Sequence, residues 1–126
     1  MLDEDYPAWE RYLDKHGKEF LWFYYNVRVG GQVNTDQTIP PNISKAWYDS
    51  TAKRIDAIGE KEKEIWIIEV AGRPGFRAIG QVLTYEHLWN LDPKINKPVK
   101  NMLVGQRLDD DLKQVLKKLN VAYIEA

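Results

Sequence analysis

Apolar positions along this chain change their period several times, and each change marks an element. Over residues 5–16, Tyr6, Trp9 and Leu13 recur at the spacing of one helix face, which predicts a helix packed on a sheet. Asp5 is its expected N-cap, Pro7 suits its first turn and Gly17 ends it. Residues 20–29, FLWFYYNVRV, are rich in aromatic and β-branched side chains and stop at Gly30-Gly31, predicting a strand buried on both faces. Residues 30–50 sustain no period, and Gly30-Gly31, Pro40-Pro41 and several Asn and Asp predict a long connection. In it Ile43 and Trp47 are expected to cover the core, while Asn34, Lys45 and Trp47 are candidate substrate contacts.

The next two strands, 54–59 and 65–71, flank the charged run Glu60, Lys61, Glu62 and Lys63, which predicts an antiparallel hairpin. Alternation along a strand sets Asp56 and Ile58 on one face and Ile55 and Ala57 on the other. On the second strand it groups Ile65, Ile67, Glu69 and Ala71. A turn centred between Glu62 and Lys63 brings Asp56 opposite Glu69. Beyond Pro74 and Gly75 a helix is expected over 75–91, ended by Asp92-Pro93. A strand follows over 99–104, then a helix over 109–119 that buries Leu112, Val115, Leu116 and Leu119, then a short strand over 121–124. A helix, three strands, and then alternating helices and strands imply an α/β (α+β) domain with a central mixed sheet flanked by helices.

Composition narrows this picture. A chain of 126 residues with 44% hydrophobic side chains fits one domain, residues 1–126, with a real core. With no cysteine, disulfides and thiolate metal sites are excluded, and His16 and His87 lie too far apart for a zinc motif. No apolar run approaches a membrane span and no signal peptide is evident, so an intracellular, cytoplasmic location is expected. The net charge of -1 argues against a general nucleic-acid coat but allows local clusters of cations, for which Lys53, Arg54, Arg73, Arg77, Lys94, Lys97 and Lys100 are candidates.

The chemistry centres on the two facing acids. Like charges directly opposite on paired strands are destabilising, so something must offset them. A hard divalent cation does so, since Mg²⁺ is commonly held by one or two carboxylates. Alternatively Asp56 pairs with Arg54 or Lys53, and Glu69 with Arg73. In the helix that follows, Arg77, Gln81 and Tyr85 share a ridge at four-residue spacing.

An acid in one strand, an acid late in the next, and a Gln-x-x-x-Tyr helix resemble the PD-(D/E)XK nuclease superfamily, in particular its RecB-type branch. The resemblance covers residues 53–89 and implies a restriction-endonuclease-like αβββαβ core. It implies Asp56 and Glu69 as metal ligands for Mg²⁺ or Mn²⁺, and Gln81 and Tyr85 as site residues. Arg73, Arg77 and Lys53 become candidate contacts to DNA, and Glu10, or less so Glu19, a candidate extra acid from the first helix. The Lys expected two residues after the Glu is Ala71, within IIEVAGRPG. Arg77 is the candidate replacement, able to stabilise charge but not to act as a base. The resemblance thus implies a metal-dependent nuclease acting on DNA phosphodiesters, weakened or silenced at position 71. The alternative is an inactive nuclease-fold module for DNA binding or assembly. Small stand-alone phage members are similar in size, and cutting two strands would call for a homodimer.

Overall fold

The computed structural model describes residues 1–31, 38 and 40–126. Their elements are α1 (Tyr6–His16), β1 (Trp22–Val29), α2 (Pro41–Thr51), β2 (Lys53–Glu60), β3 (Ile65–Val70), α3 (Phe76–Leu91), β4 (Val99–Gly105), α4 (Asp110–Lys118) and β5 (Ala122–Glu125). The strands form one sheet in the order β1-β2-β3-β4-β5. A turn closed by the Lys61 N–H donating to the Glu64 carbonyl at 2.8 Å makes β2 and β3 antiparallel neighbours, and β1 joins β2 antiparallel. Parallel pairing needs a long crossover, which α3 supplies between β3 and β4 and α4 between β4 and β5. The result is the expected mixed sheet flanked by helices.

Each face of the sheet carries its own apolar cluster. On one, Ala8, Trp9 and Tyr12 of α1 meet Ala57, Ile68, Val70, Met102 and Val104. On the other, Ala78, Ile79, Val82, Tyr85 and Trp89 of α3 meet Ile55, Ile58, Ile65, Ile67 and Leu103. Full burial of such side chains stabilises by roughly 1.5–3 kcal/mol each, so the central strands anchor both helices. The end of α4 is a Schellman turn: Asn120 takes φ +60°, Asn120 N–H donates to the Lys117 carbonyl, and Val121 N–H donates to Leu116. Among the described residues no helix is long and apolar enough to cross a membrane.

Several expectations are corrected. The strand over 20–29 is not buried on both faces: β1 is the sheet's outer edge, with Trp22 63% and Tyr25 48% exposed, because the helices cover the central strands. Residues 41–51 are helical, since Pro41 opens α2 where its missing N–H costs nothing and the Pro40 carbonyl accepts from Ile43 and Ser44 N–H. Ile43 and Lys45 are exposed there, so Ile43 does not cover the core; Asn34 and the Trp47 side chain lie outside the described residues. On α1 the buried set is Ala8, Trp9 and Tyr12, while Tyr6 is exposed. On α4 only Leu116 of the expected four is fully buried, and Val115 and Leu119 are exposed, because the four-residue β5 offers that helix a narrow seat.

Ile55 and Ala57 do not share a face. Ile55 joins the α3-side cluster and Ala57 the α1-side cluster, so alternation breaks at Asp56.

Gly105, at the end of β4, shows how tightly the connection leaving β3 is held. A Cβ there would stand 2.3 Å from the Ala71 carbonyl oxygen and 2.7 Å from Pro74. Gly105→Ala is therefore expected to lower unfolding free energy by about 1–3 kcal/mol, the usual cost of overpacking, as measured by urea denaturation.

Candidate active site

At the open end of the hairpin the backbone ladder gives way to side chains. The β2–β3 register pairs Ala57 with Ile68, and one step further sets Asp56 opposite Glu69. There the Asp56 N–H donates to Glu69 Oε1 at 3.3 Å, and the Val70 N–H donates to Asp56 Oδ2 at 3.1 Å. Each carboxylate thus takes a backbone donor from the other strand, which fixes its rotamer and leaves one oxygen uncommitted by those bonds. The amino group of Met1 lies 2.9 Å from Asp56 Oδ1, a cation drawn to the acidic pair.

Burial sets the electrostatics. Glu69 is only 6% exposed. Its desolvation, and then the facing Asp56 carboxylate, push the Glu69 carboxyl up to about 8. A proton on Glu69 therefore offsets the repulsion in the metal-free chain. Tyr85, on the buried stripe of α3, has its phenol raised by burial and then by Glu69 and Asp56, opposed by a hydrogen bond with Gln81 and by the Arg77 charge.

These groups line one cleft of about 640 Å³, bounded also by Arg54, Ala71, Arg73 and the segment from Met1 to Asp5. It sits where β3 ends and the chain turns into α3. Asp5 is 7% exposed, and its Oδ1 accepts from the Gly72 N–H at 3.0 Å. It is not the side-chain N-cap expected of it, since it makes no capping bond to α1 and instead holds the loop after β3.

The structure brings Asp56, Glu69, Arg73, Arg77, Gln81 and Tyr85 together, with Ala71 beside them. Lys53 is not among the lining residues; its Nζ donates to the Thr51 carbonyl, and the neighbouring Arg54 faces the cleft instead. Glu10 is exposed outside the cleft, and Glu19 pairs with His16. The lysines of the 94–100 stretch work elsewhere: Lys97 pairs with Glu60, Lys100 with Glu64, and Lys94 donates to the Arg28 carbonyl. Sequence reasoning missed Glu4 and Asp5 as cleft residues, because only the tertiary fold carries the N-terminal segment to the β3–α3 loop. Among the described residues no group of three or more His, Cys, Asp or Glu is placed to share a metal ion, so a cation here would rely on the acidic pair, water and substrate.

Comparison of the sequence with protein-family models and with curated proteins finds no match. Comparison of the structure finds a repair endonuclease from Pyrococcus abyssi, with TM-score 0.56 and 14% identity over 100% of this chain and 48% of that one. It also finds AF1548, a protein of unknown function, with TM-score 0.55 and 14% identity over 90% of this chain and 52% of that one. The chain therefore spans about half the length of each. At this identity the likeness is one of fold: a mixed α/β, nuclease-like fold compatible with the restriction-endonuclease-like core.

The raised Glu69 carboxyl has a consequence for stability. A carboxyl whose folded pKa lies above its unfolded value binds its proton more tightly in the folded chain. Its contribution is present below the ordinary value of 4.5 and is lost as pH rises through about 8. The metal-free protein is expected to melt lower at about pH 9 than at about pH 6, and Glu69→Gln to remove much of that fall. An identical fall in the variant would overturn this assignment.

Proposed function

We propose that this chain is a metal-dependent, nuclease-like protein that engages DNA phosphodiesters, with cleavage weak or absent because position 71 lacks a lysine. The observation that carries the reading is the Asp56–Glu69 pair: two carboxylates pinned face to face at a cleft mouth. Hard oxygen donors in this arrangement fit Mg²⁺ or Mn²⁺. When bound, such an ion supplies Lewis acidity toward a phosphoryl oxygen and activates water.

The remaining steps belong to the chain. Asp56 and Glu69 are held by backbone donors, so they need little reorganisation to accept a cation. Among the described residues no carboxylate forms a salt bridge with Arg54, Arg73 or Arg77, leaving three guanidinium groups to seat phosphate oxygens. Arg77 supplies a guanidinium that stabilises charge without acting as a base. Gln81, one helical turn before Tyr85 on the same ridge, lines the cleft beside the phenol and the acids. A second reading, an inactive nuclease-fold DNA-binding or assembly module, is favoured by Ala71 alone.

Millimolar Mn²⁺ should raise the melting temperature by binding the folded state, and combined Asp56→Asn and Glu69→Gln should abolish the rise. No shift with Mn²⁺ would remove the metal reading. DNA affinity should fall with added salt, and Arg73→Ala or Arg77→Ala should weaken it across unrelated sequences.

Ala71→Lys should raise metal-dependent cleavage by about 10²- to 10³-fold, the scale of one electrostatic contact at a reacting centre. If the unsubstituted chain instead cleaves DNA robustly, and keeps doing so in Arg77→Ala and Arg73→Ala, the assigned consequence of Ala71 is wrong.

A further inference from the structure

Strands β1 and β2 pair in one register from Trp22↔Glu60 to Val29↔Lys53, except that the pair Asn26↔Asp56 is missing. On one side of this gap, Tyr25 and Ala57 face α1, where Trp9 Nε1–H donates to the Tyr25 hydroxyl at 3.2 Å and Ala57 joins the α1-side cluster. On the other side, Val27 and Ile55 both face α3. Both strands therefore exchange faces at the same step. Asn26 is the residue in β1 with φ +52°, in the left-handed region that Asn tolerates far better than bulky or β-branched residues. A single left-handed residue in an extended strand breaks its alternation, and the paired strand follows to keep its register.

We propose that Asn26 is a positioning residue: its left-handed backbone turns β1 and β2 together, so that the Asp56 N–H and carboxylate, already opposite Glu69 by register, are aimed at β3 and locked to Glu69 and Val70. Regular alternation from Ala57 and Gly59 would already stand Asp56 on Glu69's side of the sheet, but with the Glu60 carbonyl accepting the Leu21 N–H beside β1, the same parity would aim the Asp56 N–H at β1 and not at β3. With the exchange of faces, the Asp56 N–H donates to Glu69 Oε1 instead, and the Asp56 carboxylate accepts the Val70 N–H in place of a ladder bond. Asn26 does not line the cleft, so it acts through Asp56 and not on a ligand. The proposal rests on reading Asp56 and Glu69 as cation ligands.

Three variants test it: Asn26→Gly, which keeps access to positive φ; Asn26→Val, which opposes it; and Asn26→Ala, a milder opposition that serves if the valine variant does not fold. Two readouts are taken, Mn²⁺ affinity by calorimetry and, in the metal-free chains, hydrogen exchange of the Val70 amide. The glycine variant should match the unsubstituted chain in both. The valine or alanine variant should bind Mn²⁺ about 10- to 100-fold more weakly and exchange Val70 faster, while amides of β4 stay protected. Unchanged affinity and exchange in a folded valine or alanine variant would overturn the proposal, as would a glycine variant that loses as much as they do. Should the unsubstituted chain bind no Mn²⁺, the metal reading fails, and Val70 exchange alone decides whether Asn26 positions Asp56.

Discussion

Two carboxylates held face to face at the end of a hairpin are the constraint around which this molecule is built. Buried like charges are costly, and a fold that only needed a stable strand pair would place apolar side chains there. Here each acid instead takes a backbone N–H from the opposite strand, and burial leaves Glu69 holding a proton until something else supplies positive charge. Tyr85 closes the cleft from α3, and Arg54, Arg73 and Arg77 ring it. Charge is divided accordingly. At the closed end of the hairpin, cations and anions are matched, with Lys97 on Glu60 and Lys100 on Glu64. At the open end, Arg54, Arg73 and Arg77 gather without a salt-bridged acid among the described residues. A near-neutral chain thus keeps a locally polarised cleft.

The surrounding sheet explains how such a cleft can persist. Apolar clusters on both faces bury Ile65, Ile67 and Ile68 completely, so β3 is the most firmly anchored strand and carries Glu69 at its end. Glu69 is therefore positioned by the core. Asp56 sits nearer the edge, beside a strand whose aromatic side chains are largely exposed, and its position depends on local backbone geometry.

This difference also accounts for what could be read from the sequence. The register bringing Asp56 opposite Glu69 was legible because a charged turn of definite length and a period of two determine it. The ridge of Arg77, Gln81 and Tyr85 was legible for a similar reason, helical spacing being regular. The exchange of faces at Asn26 was not, because an Asn within FLWFYYNVRV reads as one more strand residue, and Asn adopts extended backbone as well as the φ of +52° it takes here. The edge position of β1 was hidden by its composition, since aromatic residues look buried until the sheet order is known. Residues 41–51 were misread because Pro40-Pro41 signals a break as readily as a helix start. Asp5 looked like an N-cap because nothing local indicates that Gly72, 67 positions away, needs an acceptor.

That bond at Gly72 bears on how far fold and chemistry can part at position 71. The Ala71 N–H donates to the Val104 carbonyl, the Gly72 N–H to Asp5, and the Gln106 N–H to the Gly72 carbonyl. Gly105 fits directly against the Ala71 carbonyl. All of these contacts to residues 71 and 72 are made by their backbone, and none uses the side chain of residue 71. The loop would hold the same course whether that side chain were alanine or lysine, with its Cβ at the cleft in either case. A chain can therefore lose a charge at this position without losing the loop, the cleft or the facing acids. Retention of Asp56 and Glu69 beside Ala71 is what such a separation would leave: under the proposed reading, the groups assigned to cation and phosphate remain, and only the side chain at position 71 is missing.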